Sequence, residues 1–203
     1  NEEIVPPEWK NPIAKAKYKK TGIDPIAPVP LPDVSAMIKI ANVRDTAILY
    51  FLLDSGARAN EFLQLRPEDV NIITGEILIR HGKGNKPRIV HLGNKARKVF
   101  RQYWRIRQSD CPYLWITDEG TQLTYSGLRE ILRRGARKAR VPVPSPHDFR
   151  RACGVGMLRK GADLETVRVY LGHASYSSLK PYLLLLTDDI VRVHTRTSVG
   201  DEV

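Results

Sequence analysis

Apolar residues recur every three or four positions through most of the chain beyond residue 33, the spacing expected of helices that bury one face. Asp33 is the predicted N-cap of the first helix. The second helix, at residues 44–54, is so rich in apolar side chains that we expect it at the centre of the core, and Ser55-Gly56 should end it. A short helix follows Arg58, and further helices are predicted at residues 93–108, 124–139, 146–159, 163–171 and 187–195.

Two stretches break this helical pattern. Residues 70–80 and 86–92 alternate apolar and polar side chains and are rich in β-branched residues, with turn sequences at Thr74-Gly75 and at residues 82–85. This alternation predicts a small antiparallel sheet. The predicted fold class is therefore mainly α with one small antiparallel β-sheet (α+β).

The net charge of the chain indicates the kind of partner it binds. Lysine and arginine number 33 against 22 acidic residues, which gives a formal net charge of +11 and a pI near 9.8. Such a balance indicates a polyanionic partner, most simply nucleic acid. A membrane partner is disfavoured, because the longest apolar run, Leu183–Leu186, is too short to span a bilayer and no stretch resembles a secretory signal. The two cysteines form neither a disulfide framework nor a zinc-ligand pattern, so we expect a cytoplasmic, nucleoid-associated protein.

The chain is predicted to have three parts, of which composition marks off the first. Residues 1–32 contain seven of the 14 prolines and a cluster of lysines. They are predicted to form an extended basic linker that enters from an N-terminal domain outside this sequence, with a plain solvated tail as the alternative. Residues 33–186 are predicted to form one folded domain, and residues 187–203 a separate C-terminal segment.

The helix predicted at residues 124–139 is strongly one-sided. Opposite its apolar stripe, six cations and one acid occur within twelve residues. Surface helices usually mix charges of both signs, so this face is predicted to follow a phosphate backbone rather than to be merely solvated. The residues predicted to contact DNA are Arg129, Arg133, Arg137 and Arg140 on this face, together with Lys86 in the β region.

Several side chains suited to phosphodiester chemistry are scattered along the chain: Arg58, Lys83, His147, Arg150, His173 and Tyr182. Ser145-Pro146-His147-Asp148 predicts a capped helix start, with Asp148 completing a capping box. His147 and Arg150 are three residues apart and therefore share one face of the first turn. Amide hydrogens at a helix start favour a phosphate at this position.

Taken singly, each of these residues also fits an ordinary structural role. Lys83 could be a solvated lysine at a hairpin tip, and His173 could be a structural histidine after a helix end. Arg58 and Glu61 could form a plain surface ion pair. Alternatively, Glu61 could orient the Arg58 guanidinium so that it binds a phosphate with two hydrogen bonds.

In combination, the residues resemble the catalytic domain of tyrosine recombinases, a family of phage integrases and of Xer-type and Cre-like enzymes. The resemblance extends over residues 33–190 and rests on the order of Arg58, Lys83, His147-x-x-Arg150, Leu171-Gly172-His173-Ala174-Ser175 and Tyr182. Glu61 and the Gly82-Lys83-Gly84-Asn85-Lys86 stretch support it. The family joins an N-terminal core-binding domain to the catalytic domain through a basic linker, which would account for residues 1–32.

The resemblance implies a site-specific DNA recombinase or integrase. Tyr182 would attack a phosphodiester of double-stranded DNA and form a 3′-phosphotyrosyl bond, without a metal or other cofactor. Residues 33–186 would be the catalytic domain, and the enzyme would act as a homo-tetramer on paired DNA sites, assembled from a protein that could be a monomer in solution. Residues 187–203 would dock on a neighbouring protomer.

The implied roles follow the charge that develops during the reaction. Arg58, Arg150 and His173 would stabilise the pentacoordinate transition state, with Glu61 in a supporting position. Lys83 would protonate the leaving oxygen, and His147 would accept the tyrosine proton. The nearby guanidinium groups are also expected to favour ionisation of the tyrosine.

Two features depart from the family pattern, and they keep other functions open. Pro181 directly precedes Tyr182 and disfavours helical geometry in the residue before it, and the apolar run Leu183–Leu186 follows. The alternatives are a type IB-like topoisomerase and a catalytically inactive DNA-binding module. A metal-dependent nuclease is disfavoured, because no carboxylate cluster accompanies the histidines.

Overall fold

The computed structural model describes residues 27–80, 87–179, 182, 198 and 200. Within these ranges the chain forms seven α-helices and one two-stranded sheet, which confirms the predicted α+β class. The elements are α1 Leu31–Ile40, α2 Val43–Ser55, α3 Ala59–Leu63, β1 Glu76–Ile79, β2 Arg88–His91, α4 Asn94–Ile106, α5 Tyr125–Ala139, α6 Pro146–Arg159 and α7 Leu164–Leu171.

Helix α1 begins at Leu31, so the prediction that Asp33 caps it is wrong. Pro30 is the N-cap residue, and Asp33 lies inside the first turn. A proline in the first turn lacks only an N–H that would have no helical partner anyway, which explains the earlier start. Val29 is buried, and its N–H donates to the Asp148 carbonyl at 3.3 Å. This segment is thereby tied to the start of α6.

Helix α2 lies at the centre of the core, as predicted, and packs against both α4 and α6. It ends at Gly56, whose φ of 55° lies in the left-handed region that favours glycine. Beside α2, the fully buried Trp115 stacks between two aromatic rings, with centroid distances of 4.7 Å to Phe62 and 5.2 Å to Tyr103. This aromatic cluster fixes α3, and the residues just before it, against α2.

The predicted antiparallel sheet is present but short. β1 pairs with β2 in a register that joins Glu76 to His91, and Gly75 forms the predicted turn before β1 with a φ of 83°. Val70 makes only an isolated bridge to Ile77. Val90 and the apolar residues Ile77 and Ile79 are buried, and Arg88 at the start of β2 bonds to Glu61 of α3 and to the Tyr170 carbonyl of α7.

Several predictions fall on residues outside the described ranges. They concern the linker before residue 27, the hairpin tip with Lys83 and Lys86, Pro181, the run Leu183–Leu186 and the helix at residues 187–195. Across the described part of the chain, every helix is too short or too polar to cross a membrane.

Candidate active site

Arg58 and Glu61 do not form an ordinary surface ion pair. Arg58 is the N-cap residue of α3. Its N–H donates to Glu61 Oε2 and its Nη1 to Glu61 Oε1, both at 2.8 Å. The side chain of Glu61 is only 5% exposed. A carboxylate at the start of a helix is favoured by the unpaired amides there, so the sequence itself holds Glu61 in this place.

A second arginine, which sequence reasoning missed, completes this group. Arg88 at the start of β2 donates through Nη1 to Glu61 Oε1 at 3.0 Å and through Nη2 to Oε2 at 2.6 Å. Burial by itself raises the pKa of Glu61, but the hydrogen bonds from Arg88 and Arg58 outweigh it and bring the pKa below its usual value. Glu61 is therefore a buried carboxylate held between two guanidinium groups.

Arg150 connects the C-terminal ends of two helices. It is 4% exposed, and its Nη1 and Nη2 donate to the carbonyls of Gly56 and Leu171, each at 2.6 Å. Carbonyls at a helix C-terminus carry partial negative charge, which stabilises a cation there. Burial and the nearby charge of Arg58 lower the pKa of Arg150 to about 10, so the side chain stays cationic at neutral pH.

The turn that carries His173 begins where α7 ends. Gly172 has a φ of 66°, and the N–H groups of Gly172 and His173 return to the carbonyls of Val169 and Arg168, both at 2.9 Å. This arrangement is a Schellman motif, which needs a residue in the left-handed conformation and so explains the glycine. Arg58 donates through Nη2 to the Gly172 carbonyl at 3.0 Å. The two arginines thus bind neighbouring carbonyls of the same turn.

Tyr182 lies next to this turn within the same chain. Its ring centroid is 6.0 Å from that of His173, and the side chain is 5% exposed in a small apolar cluster with Cys153, Val155, Val167, Leu171 and Leu179. Burial raises the pKa of the Tyr182 phenol despite the charges of Arg150, Arg151 and Arg58. The charges of Arg150 and Arg58 favour ionisation, in the expected direction, but desolvation of the phenolate outweighs their attraction.

A cleft of about 1030 Å³ opens in front of Arg58 and Glu61, and His147 lies on its wall. His147 is exposed in the first turn of α6, where the Ser145 N–H donates to Asp148 Oδ2 at 2.7 Å, as the predicted capping box requires. The structure therefore brings Arg58, Glu61 and His147 to one cleft. Arg150, His173 and Tyr182 lie around the α7 turn, which the Arg58 guanidinium joins to that cleft.

The basic face of α5 is confirmed in part. Arg129 and Arg133 line a groove of about 390 Å³ beside the start of α6, and Arg133 also pairs with Glu130. Arg140 lies beyond the helix in a left-handed conformation, with a φ of 57°, so it does not continue the helical face as predicted. The helical periodicity of α5 ends at Ala139, one residue before Arg140.

Fold and site together define a class: a mainly helical domain in which arginine and histidine side chains from α3, α6 and the end of α7 gather near a buried tyrosine. Residues 31–187 match the model of the phage integrase family, so the chain belongs to that family.

Known proteins agree with this assignment. The chain is similar to a tyrosine recombinase XerD of Ralstonia nicotianae, with 30% identity over 172 residues, covering 81% of this chain and 55% of the relative. Among solved structures, a XerA recombinase has a TM-score of 0.77 at 24% identity, covering 89% of this chain and 66% of that one. A XerH recombinase bound to a palindromic difH substrate, in a post-cleavage complex, has a TM-score of 0.70 at 23% identity, covering 91% and 56%. The chain spans about half the length of the curated relatives it matches.

Proposed function

We propose that this chain is the catalytic domain of a site-specific tyrosine recombinase, which cleaves and rejoins double-stranded DNA through a 3′-phosphotyrosyl bond. The carrying observation is the position of Tyr182 beside His173, at the turn whose carbonyls bind Arg58 and Arg150. A nucleophile, two fixed cations and an imidazole thereby meet in one chain. Family membership and the XerH complex with its DNA substrate support the proposal.

The proposed chemistry follows from the charges at the site. Attack by Tyr182 on a phosphodiester raises the negative charge on the phosphate oxygens, and cations held in place beforehand stabilise that state. Each guanidinium has five N–H groups. Arg150 uses two of them on helix carbonyls, and Arg58 uses one on Glu61 and one on Gly172. Partners among the described residues thus leave further N–H groups on both arginines, and the proposal assigns those groups to the phosphate.

Proton transfers complete the proposed reaction. Because burial raises the pKa of Tyr182, the phenol is neutral at physiological pH and must lose its proton as it attacks. His147, on the wall of the cleft, is the proposed acceptor. Lys83 is the proposed donor to the 5′-oxygen that leaves. The covalent bond to Tyr182 conserves the energy of the broken phosphodiester for rejoining.

We further propose that the enzyme acts as a homo-tetramer on paired DNA sites, and that Arg129, Arg133, Arg137 and Lys86 contact the DNA backbone. Support comes from the groove that Arg129 and Arg133 line beside the first turn of α6. Loss of one phosphate contact makes the negative slope of log K against log salt concentration shallower by about 1. Arg129→Gln should show this change, and Arg105→Gln on the exposed surface of α4 serves as its control.

Covalent capture tests the proposed reaction without knowledge of the target sequence. Full-length protein is incubated in EDTA with a randomised library of nicked duplexes, and DNA that stays attached in denaturing detergent is amplified and sequenced. The selected duplex is then given to Tyr182→Phe and to Tyr176→Phe, a neighbouring exposed tyrosine that donates to Glu165.

We expect an adduct with wild type and with Tyr176→Phe, and none with Tyr182→Phe. An adduct that persists in Tyr182→Phe, or no adduct with any duplex, refutes the proposal. Relaxation of supercoiled plasmid by a monomer that ignores the selected site would instead favour the topoisomerase alternative.

A further inference from the structure

Four consecutive backbone carbonyls at the end of α7 each accept a hydrogen bond from a different arginine. Arg88 Nε donates to Tyr170 at 3.0 Å, Arg150 to Leu171 at 2.6 Å, Arg58 to Gly172 at 3.0 Å and Arg168 to His173 at 2.9 Å. The two carbonyls before them, of Arg168 and Val169, are bound by the Schellman motif described above. All six carbonyls from residue 168 to residue 173 therefore have a partner, although the last turn of a helix normally leaves four without one.

Two of the four arginines are assigned to the phosphate, and the other two have no role in the proposed reaction. Of these, Arg168 donates to Glu165 and lies over the ring of Tyr176, 5.6 Å from its centroid. Arg88 differs, because its side chain is 9% exposed and lies behind Glu61. Among the described residues, the cleft wall includes its neighbour Pro87 but not Arg88 itself. Arg88 is therefore placed to act on the site without touching its ligand.

Arg88 connects the two parts of the site. It binds both carboxylate oxygens of Glu61, which orients Arg58, and it binds the carbonyl of Tyr170, three residues before His173. A Cβ added to Gly172 would lie 3.1 Å from Arg88 Nη1 and 3.2 Å from its Cδ. The Arg88 side chain therefore packs directly against the backbone of the turn at Gly172.

We propose that Arg88 is a positioning residue for the reaction, because it fixes the position of the Arg58 guanidinium relative to the turn that carries His173. This inference rests on the proposed function. A displacement of about 1 Å in a catalytic group can lower the rate by on the order of 100-fold. Arg88→Met should therefore slow cleavage strongly while leaving DNA affinity almost unchanged.

The test measures single-turnover cleavage of the selected nicked duplex, together with DNA affinity as a function of salt. Arg107→Met is the matched control, because Arg107 is also partly buried and, among the described residues, donates to the loop carbonyls of Ser109, Cys111, Tyr113 and Leu114. We expect Arg88→Met to cleave on the order of 100-fold more slowly than Arg107→Met. The salt slope should be the same in both, because no phosphate contact is lost.

The pH profile separates positioning from a loss of folding. Glu61 faces Arg58 from its own helix and Arg88 from β2, and His147 lies on the same cleft from α6. Loss of Arg88 removes a hydrogen bond and a charge that lower the pKa of Glu61, while the effect of burial remains, so the pKa rises relative to wild type. The cleavage rate of Arg88→Met relative to wild type should therefore fall as the pH is lowered from 8 to about 5. The ratio for Arg107→Met should stay constant, because Arg107 donates to loop carbonyls and not to Glu61.

The outcomes are distinguishable. Absence of an adduct from wild-type protein would overturn the proposed function and this inference with it. Equal rates and equal pH profiles in Arg88→Met and Arg107→Met would overturn the positioning role alone. If circular dichroism shows Arg88→Met to be unfolded, Arg88→Lys replaces it, because lysine keeps the charge but cannot bind both oxygens of Glu61 and the Tyr170 carbonyl together. Wild-type rates in Arg88→Lys would overturn the inference.

Discussion

The buried Glu61 should make a large contribution to stability, which Glu61→Gln would remove. This substitution keeps the size of the side chain but leaves Arg58 and Arg88 as neighbouring cations without their shared anion. The side chains are 28%, 5% and 9% exposed for Arg58, Glu61 and Arg88 respectively, so water screens the remaining charges only weakly. Removal of one partner from a buried ion pair costs about 3–5 kcal/mol. Small domains are stable by only about 5–15 kcal/mol in total.

Glu68→Gln provides a matched control for the same substitution. Glu68 is 57% exposed and pairs loosely with Arg66 at 3.7 Å and with Arg80 at 3.8 Å, an arrangement worth about 0–1 kcal/mol. Urea unfolding at pH 7, followed by circular dichroism, measures both variants. If Glu61→Gln lowers the free energy of unfolding no more than Glu68→Gln does, Glu61 is not held between Arg58 and Arg88 as described.

The pH dependence of stability gives the same prediction an independent check. The pKa of Glu61 is lower in the folded than in the unfolded protein, so its contribution is present above the unfolded value of about 4.3 and is lost as the pH falls through the folded pKa. The difference between wild type and Glu61→Gln should therefore shrink below about pH 4. In a double-mutant cycle, Glu61→Gln and Arg88→Gln should couple by about 0.5–3 kcal/mol. A cycle with no coupling would contradict the direct pair.

Three further predictions concern packing and reactivity. Gly56→Ala should lower the free energy of unfolding by more than about 1 kcal/mol, because a φ of 55° is unfavourable for alanine and the new Cβ would lie 2.5 Å from a leucine side chain. Gly156→Ala, in open space within α6, should raise the free energy of unfolding by about 0.5–1 kcal/mol. Equal effects of the two substitutions in urea unfolding would contradict this. Trp115→Ala should lose about 3–5 kcal/mol by the same assay, since its stacked ring is fully buried, and a loss below 1 kcal/mol would be inconsistent with that packing. Burial raises the pKa of the Cys153 thiol to about 12, so mass spectrometry should find Cys111 alkylated by iodoacetamide at pH 8 before Cys153; equal labelling of the native protein would show that Cys153 is accessible.

Short sequence patterns predicted the helices whose ends are determined by residues close together in the sequence. Helix α6 has the predicted bounds, because Ser145, Pro146 and Asp148 specify its start within one turn. Helix α2 differs from its prediction by one residue at each end, since the apolar run and Gly56 define it. The order of the motifs also predicted which residues would gather: Arg58, Arg150, His173 and Tyr182 lie at or beside one turn, and His147 lies on the cleft that Arg58 also lines.

Contacts between distant residues could not be predicted in this way. Arg88 and Glu61 are 27 residues apart, Arg150 and Gly56 are 94 apart, and Arg134 pairs with Asp45 over 89 residues. Arg134 had been counted with the basic face of α5, but its contact is with α2. An arginine in a sequence shows only that a cation is present, because its long side chain can reach DNA, a carboxylate or a carbonyl equally well. Packing decides among these partners, and packing depends on the whole fold.

The partners of the three buried or half-buried arginines explain how the site keeps its charge. A separate carboxylate partner for each arginine would stabilise the guanidinium groups but would cancel their positive charge. Instead, Arg150 is held by the carbonyls of two helix ends, and one carboxylate is shared by Arg58 and Arg88. Three guanidinium groups and one carboxylate leave a net charge of +2, while dipoles carry the remaining stabilisation. The proposed attack on a phosphodiester raises the charge on phosphorus oxygens from one negative charge toward two, so the fold would supply beforehand the charge that this transition state requires.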